Sequence, residues 1–314
     1  AAGASLYALR TDGALLANGA AVLTNTGGGL IFLGSTWKTN TCPLDFGANE
    51  AVIICRGSTN YMDGTIKCSG GLVKTGPGVL CLRANNTGLL SGGITVNDGD
   101  LYFTNTAALG GPGNPITLNG GRALYWGAQS GVVSNDIYLG DNGGSVDWIN
   151  SGNYLTLNGQ ISGPGAFILR GAGNGSISLN GTNTYTGGTL VNGFKGLTVN
   201  ANAKLGSGVI GLMDGYELNS AENQTPKVTF LGNGNVDNSN SLVIRHWSGS
   251  AYFQSATPTI GSIEGNGHIK LGTDSVSCRL TVGGNNRSTT FYGGIVEYSY
   301  RTSVVAKVGT GTLT

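Results

Sequence analysis

A motif that occurs three times constrains the fold of this chain more than any other feature. Its copies at residues 75–111 and 171–208 give the same order: a strand pattern, an Asn-rich turn, a Gly-Gly pair, a second strand pattern and a Leu-Gly pair. A third start, KVGTGTLT, covers residues 307–314. A short unit of this kind cannot bury its apolar face alone, so we expect it to stack on its neighbours as in a solenoid.

The apolar residues alternate with polar ones over short runs, and no helical period is sustained. Examples are GSISLNG, GGITVNDGDLYF, KVTFLGNG and RLTVGG. Period-2 runs bounded by Gly and Asn predict strands, and these two residues suit the corners of a parallel coil because they enter left-handed conformations cheaply. A net charge of +1 and 39% hydrophobic residues favour a folded chain over a disordered one. The sequence therefore predicts an all-β coil.

The spacing of the copies sets the expected organisation. Gly92 matches Gly187 and Leu109 matches Leu205, so the two full copies keep nearly the same offset from end to end. With a rung of roughly 24 residues, each repeat would hold about four coils and the chain about 13 rungs, stacked roughly 4.8 Å apart. We predict a single continuous solenoid over residues 1–314. Its repeat units lie at roughly 64–111, 158–208 and, in part, 292–314.

Several segments resemble a known repeat. NGTNTYTGGTLVN, followed by GLTVNANAKLGSG, resembles the autotransporter-associated β-strand repeat, also called the passenger-associated transport repeat, of bacterial surface proteins. LVKTGPGVL and AKVGTGTLT resemble its opening strand. The resemblance implies a right-handed parallel β-helix that is exported and displayed at the cell surface. It implies no enzymatic activity, because the repeat is a scaffold.

The cysteines have a regular spacing. Cys42, Cys55, Cys68 and Cys81 follow one another at equal steps along the chain, without the spacing of a zinc site. If two such steps make one coil turn, Cys42 would lie over Cys68 and Cys55 over Cys81, close enough for disulfides. The pairing Cys42–Cys55 with Cys68–Cys81 stays open, as do four buried free thiols. Cys278 is left unpaired or intermolecular. Disulfides would place the protein outside the cytosol.

Few residues are candidates for chemistry. Enzymes that cleave polysaccharides need converging carboxylates, and the densest groups here are Asp98 with Asp100 and Asp136 with Asp141 and Asp147, the last two in the loop at residues 141–147. Turn chemistry explains both groups, including the calcium-like look of the loop. The two histidines, His246 and His268, lie near no nucleophile motif. We expect no catalytic site, no cofactor and no metal.

Pairs of adjacent aromatic residues predict rings on the outside of the coil. In a strand one member of each pair points outward, so an outward row could stack on sugars. Such a row is equally typical of a lateral contact between rods or of ordinary exposed rings. The pairs are Tyr102–Phe103, Tyr125–Trp126 and Phe291–Tyr292.

Both ends of the chain look like strands without a cap, which is the basis of the functional prediction. Unpaired strand edges invite another chain, and a head-to-tail contact between copies would propagate into a filament. We therefore predict an extracellular structural protein that stacks end to end, with a stalk or adhesin passenger fragment as the alternative and a polysaccharide-active enzyme third. Self and surface glycans are the expected partners. The charge balance and the lack of a long apolar run argue against nucleic acid and membrane insertion. The candidate edge residues are Leu6, Tyr7, Leu9, Val304, Val305 and Leu313.

Overall fold

The computed structural model describes residues 5–148, 154–170, 176–192, 196–213, 225–298 and 301–314. The chain is all-β, and its parallel sheets form a β-solenoid of about 13 turns. The predicted fold class is confirmed. Among the described residues, the helical element is a single 3-10 turn at Thr106–Leu109, where the Asn105 side chain accepts the amide of Ala108.

The first of two compact units covers Ala1–Val146. One of its sheets runs in the order β15-β12-β10-β8-β5-β2-β4-β7 with β1 beside β2, and another in the order β13-β11-β9-β6-β3. The strands that begin in this unit are β1 (Ser5–Thr11), β2 (Leu23–Phe32), β3 (Lys38–Asn40), β4 (Leu44–Gly47), β5 (Ala51–Cys55), β6 (Thr59–Met62), β7 (Ile66–Cys68), β8 (Leu72–Thr75), β9 (Val79–Leu82), β10 (Ile94–Val96), β11 (Asp100–Phe103), β12 (Ile116–Leu118), β13 (Arg122–Tyr125), β14 (Gly131–Val133), β15 (Ile137–Leu139) and β16 (Gly144–Trp148).

The second unit covers Asp147–Thr314. All of its described strands except β18 lie in three sheets with the orders β28-β25-β23-β21-β19, β17-β20-β22-β24-β26-β29-β31 and β27-β30-β32. They are β17 (Tyr154–Leu157), β18 (Ile161–Ser162), β19 (Phe167–Arg170), β20 (Ser176–Leu179), β21 (Thr189–Asn192), β22 (Gly196–Val199), β23 (Gly208–Met213), β24 (Lys227–Phe230), β25 (Asn240–Ile244), β26 (Ser250–Phe253), β27 (Thr259–Ile260), β28 (Ser262–Gly265), β29 (His268–Leu271), β30 (Arg279–Val282), β31 (Gly294–Glu297) and β32 (Val304–Lys307).

In the Asn-rich turn of the repeat, a buried asparagine side chain hydrogen-bonds the backbone of neighbouring rungs. It does so at a corner, where the strands and their backbone hydrogen bonds are interrupted. Asn86 accepts the amide of Ile66 (2.8 Å) and donates to the carbonyl of Ala108 (2.8 Å). In the second copy, Asn183 accepts the amide of Ile161 (2.8 Å) and donates to the carbonyl of Lys204 (2.7 Å). Each side chain therefore joins the backbone of the preceding rung to that of the following one. Buried backbone groups need such partners wherever the strands stop.

The Gly-Gly pair of the motif lies where successive rungs touch. A side chain at Gly187 would meet the backbone of Gly165, and Gly188 has a left-handed φ of +85°. Before the pair stands Tyr185, which is fully buried, and its hydroxyl hydrogen-bonds Thr189 (2.6 Å). Such a buried phenol needs a polar partner.

In the first copy, both members of this hydrogen-bonded pair are replaced by apolar residues. Leu90 and Ile94 stand where the second copy has Tyr185 and Thr189, and both are buried. An apolar pair replaces a hydrogen-bonded polar pair, so neither copy leaves a buried polar group at these positions without a partner.

The rung in the first unit is shorter than the sequence led us to expect. Thr59 pairs with Val79, Val79 with Asp100, and Asp100 with Arg122, so each step along the chain falls a few residues short of the expected rung. The step between cysteines is therefore more than half a rung, and the cysteines do not stack on each other. The ladder neighbours of Cys81 are Tyr61 and Tyr102.

The predicted disulfides are wrong. Cys42, Cys55, Cys68, Cys81 and Cys278 are all free and buried. Neither the pairing of Cys42 with Cys68 and Cys55 with Cys81 nor that of Cys42 with Cys55 and Cys68 with Cys81 is formed. The thiols fill space as small apolar side chains, which is the third possibility that the spacing left open.

We expect the thiols to be unreactive towards thiol reagents in the native protein. A thiol reagent such as Ellman's reagent reaches only exposed sulfur, so no cysteine should react before unfolding and five should react in denaturant without a reductant. A reduced sample is the control. Fewer than five reactive thiols in the unreduced, denatured chain would mean that disulfides are present.

Because the same thiols are buried, we expect the protein to lose stability at alkaline pH. Burial raises the pKa of Cys55 and of Cys278 from 9.0 to about 11, and that of Cys81 to about 12. On raising the pH, the thiols of the unfolded chain ionise before the buried ones. The contribution of each buried thiol to the free energy of unfolding is therefore complete below pH 9 and falls by roughly 1.4 kcal/mol per pH unit above it. Burial lowers the pKa of Lys74. This single group makes the free energy of unfolding rise with pH, against the effect of the several thiols. We expect the melting temperature to fall between pH 9 and 11, less steeply in Cys81→Ala, and an unchanged slope would contradict this account.

One interior position of the first unit is cationic. Lys74 shares a column with Ile53 and Val96 and is fully buried. Its ammonium donates to the carbonyls of Gly76 (2.6 Å) and Asp98 (2.8 Å) at the corner. The charge is thus held by backbone oxygens rather than by a carboxylate.

Candidate functional site: an outward aromatic platform

The carboxylates that the sequence singled out have structural contacts. Asp100 forms a bidentate ion pair with Arg122, whereas Asp98 lies in the preceding turn and accepts the amide of Gly99 (2.8 Å). In the loop at residues 141–147, Asp147 is buried and accepts the amide of Arg170 (2.9 Å). Turn and strand-end contacts therefore account for these side chains.

The two histidines belong to separate strands and turns of the second unit. The Nδ1 atom of His246 accepts the amide of Ser248 (3.1 Å), and its ring stacks on Trp247. His268 begins β29 at an exposed position. In the part of the chain that the structure describes, no group of three or more His, Cys, Asp or Glu side chains could hold a metal ion. Over the same residues, no helix is long and apolar enough to span a bilayer.

The outer face of the sheet β13-β11-β9-β6-β3 carries aromatic rings. Tyr102 faces outward while Phe103 is buried, and Trp126 is partly exposed while Tyr125 is buried. The prediction that one member of these pairs points outward is confirmed. In the third pair, Tyr292 is 84% exposed.

Four rings on this face are linked by three successive contacts, and we call them the aromatic platform: Trp37, Tyr61, Trp126 and Tyr102. Ring centroids lie 6.4 Å apart for Trp37 and Tyr61, 5.7 Å for Tyr61 and Trp126, and 5.9 Å for Tyr102 and Trp126. The first and last of these contacts are edge-to-face. Such contacts orient the ring planes relative to one another.

A small residue lies beneath the rings. Cys81 occupies an outward position between Tyr61 and Tyr102, yet it is fully buried. The contact of Tyr61 with Trp126 bridges the intervening strands above this position. A larger side chain there would separate the rings.

Two arginines on the same face are each held by a carboxylate. Arg83 donates to Asp63 through Nε (2.6 Å) and Nη2 (3.0 Å), and its guanidinium lies 4.3 Å from the centre of the Tyr61 ring. Arg122 pairs in the same bidentate way with Asp100 (2.8 and 2.6 Å). Bidentate pairs fix both partners, so these polar groups are oriented before any ligand arrives.

The phenols of the platform stay neutral in the ordinary pH range. Burial raises the pKa of Tyr61, and burial followed by the charge of Asp100 raises the pKa of Tyr102. Neutral hydroxyls both donate and accept hydrogen bonds. The platform therefore combines apolar ring faces with oriented donors and acceptors.

Sequence reasoning identified Tyr102 and Trp126 but missed Trp37, Tyr61 and the two ion pairs. A signal for the pairs is present, because Asp63 precedes Arg83 by one rung and Asp100 precedes Arg122 by one rung. With the observed rung length, these opposite charges align on neighbouring strands.

Five of the predicted edge residues lie in strands whose pairing the structure describes on one side, and the sixth lies outside the strands. β1 contains Leu6, Tyr7 and Leu9 and pairs with β2. β32 contains Val304 and Val305 and pairs with β30. Leu313 forms an isolated bridge with Thr289. End-to-end stacking through these residues stays a prediction.

A comparison with known proteins shows a partial relative. The chain is 34% identical, over 131 residues, to the adhesin BmaC autotransporter of Brucella suis biovar 1 (strain 1330). The match covers 39% of this chain and 4% of the relative, so the chain spans a small part of that protein's length. No family model and no solved structure matches the chain. The β-solenoid is thus similar in part to an autotransporter adhesin, and the specific repeat family stays a prediction.

Proposed function

We propose that this chain is a segment of an autotransporter-type surface passenger, a β-solenoid that displays a carbohydrate-binding platform outside the cell. The partial likeness to an adhesin and the solenoid of stacked repeats support this role. The observation that carries it is the aromatic platform with its two bidentate ion pairs. The role is non-enzymatic, since a scaffold with a binding face needs no reacting groups.

Carbohydrate is the ligand class that this chemistry suits best. A sugar ring has apolar C–H faces, which pack against aromatic rings, and a rim of hydroxyls, which need donors and acceptors. Trp37 and Trp126 supply ring surface, while Arg83 and Asp63 lie at its border. An open sheet face admits a chain of sugars from the side, so the end of a glycan is not required.

Beads coated with the purified chain test this role on cells. We expect them to adhere to glycan-bearing epithelial cells, and periodate oxidation of the cell-surface sugars should remove the adhesion. Tyr102→Ala/Trp126→Ala should reduce adhesion about tenfold, because aromatic contacts dominate interfaces of this kind. Trp247→Ala, at a Trp that is 73% exposed in the second unit, is the matched control. Adhesion that survives periodate or the double substitution would overturn the proposal.

A further inference from the structure

On one outer sheet face of the second unit, the described strand positions of two outward columns carry positive charge and no carboxylate. On the sheet β17-β20-β22-β24-β26-β29-β31, one outward column holds Lys227 and His268, and the next holds Tyr252 and Lys270. The other described positions of these two columns are uncharged: Tyr154, Thr156, Ser176, Ser178, Gly196, Thr198, Thr229, Ser250, Gly294 and Val296.

Two ammonium groups converge on a single ring in this face. Lys227 Nζ lies 4.3 Å and Lys270 Nζ 5.0 Å from the centre of the Tyr252 ring. The ring of Tyr298 meets Tyr252 at 6.3 Å in an edge-to-face contact and is 48% exposed. We call these four side chains the Tyr252 patch.

The lysines of the Tyr252 patch differ from others in the chain. Lys67 pairs with Asp45 (2.9 Å), and Lys204 pairs with Asp237 (2.7 Å). Within the described ranges, neither Lys227 nor Lys270 forms an ion pair with a carboxylate. Two like charges near one ring repel each other, and an anion close to both would relieve that repulsion.

We propose that the Tyr252 patch binds a carboxylated sugar, such as a uronate unit of an anionic polysaccharide. The carboxylate is placed within reach of the ammonium groups of Lys227 and Lys270 beside the Tyr252 ring, and the sugar ring packs against the exposed ring of Tyr298. This site is separate from the aromatic platform and has its own residues.

The composition of the patch favours an acidic sugar over other anions. A free phosphate would use the ammonium groups but not the ring of Tyr298. Nucleic acid needs a longer basic stripe, since a typical site contacts about 6–10 phosphates. Two lysines beside one exposed aromatic ring match a single charged sugar within a chain.

Titration of the whole chain with defined oligouronides tests this site. Wild-type protein should bind oligogalacturonate or another member of a uronide panel, and affinity should fall about tenfold in Lys227→Gln/Lys270→Gln, since two exposed charge pairs are lost. Lys67→Gln removes one exposed lysine elsewhere and should bind as the wild type does. Methyl esterification of the carboxylates should abolish binding. Equal binding of the ester, full affinity of the double variant or no binding to any uronide would overturn the proposal.

Further arms separate this site from its competitors. Millimolar inorganic phosphate should not displace the oligouronide. A duplex DNA should bind the chain more weakly than the oligouronide does. Displacement by phosphate alone, or tighter DNA binding that the lysine substitutions abolish, would overturn the assignment to an acidic sugar. Tyr102→Ala/Trp126→Ala should leave uronide affinity unchanged, so the two sites succeed or fail separately.

Discussion

Gly187→Val is expected to disrupt folding of the second unit. A Cβ at this position would meet the carbonyl carbon of Gly165 and the amide of Ala166, which belong to the backbone of the preceding rung. Backbone cannot move aside as a flexible side chain does, so the rungs must separate. We expect a loss of about 4 kcal/mol or more in the free energy of unfolding, which is at the upper end for single substitutions.

The matched control is Gly234→Val in the same unit. A Cβ at Gly234 would meet nothing within 4 Å, and its φ is not left-handed. Urea unfolding followed by circular dichroism should place the midpoint of this variant close to that of the wild type. Equal midpoints for Gly187→Val and Gly234→Val would mean that the Gly-Gly pair of the repeat is not a close approach between rungs.

Asn183→Ala is expected to have the second largest effect. The side chain accepts the amide of Ile161 and donates to the carbonyls of Gly181 (3.1 Å) and Lys204. Alanine leaves the buried amide of Ile161 without its partner, at about 1–3 kcal/mol. The two carbonyls lose only one of two hydrogen bonds, because the backbone amides of Lys204 and Asn183 still donate to them. We expect a total loss of about 2–4 kcal/mol. Asn86→Ala, at the equivalent corner of the first copy, should behave alike.

Asn180→Ala is the control for the buried asparagines. Asn180 is exposed, and its side chain bonds those of Asn158 and Asn200 in a surface ladder. Such a change should cost within about 0.5 kcal/mol. A loss as large as that of Asn183→Ala would show that asparagine stabilises this solenoid by surface ladders rather than by corner bonds.

The sequence was sufficient for the fold because the repeat and the period-2 runs have one physical solution. Short strands between Gly and Asn, such as β20 and β22, can bury their apolar side only by stacking. The rung length was predicted less well, since corners such as the one at Asn183 vary in length without changing the strand pattern. That error of a few residues placed Cys42 over Cys68 and Cys55 over Cys81 and so produced the wrong disulfides.

The candidate sites depend on contacts across rungs, which sequence periodicity does not give. Tyr61 and Trp126 come from distant parts of the first unit's sequence and meet above Cys81. Lys227 on β24 and Lys270 on β29 meet at Tyr252, which lies on the strand between them. Alternation correctly predicted that Tyr102 and Trp126 point outward. Which outward side chains meet was decided by the register between strands.

The central claim is that the outer face of the solenoid, through the aromatic platform, recognises carbohydrate. The most direct test is a glycan array probed with the whole chain, followed by calorimetric titration of the strongest binder that has no acidic sugar, with the wild type and with Tyr61→Ala/Trp126→Ala. We predict a saturable carbohydrate ligand whose affinity falls about tenfold or more in the variant. Circular dichroism should show the same fold for both proteins. An array without a binder, or a ligand bound equally well by the variant, would contradict the account.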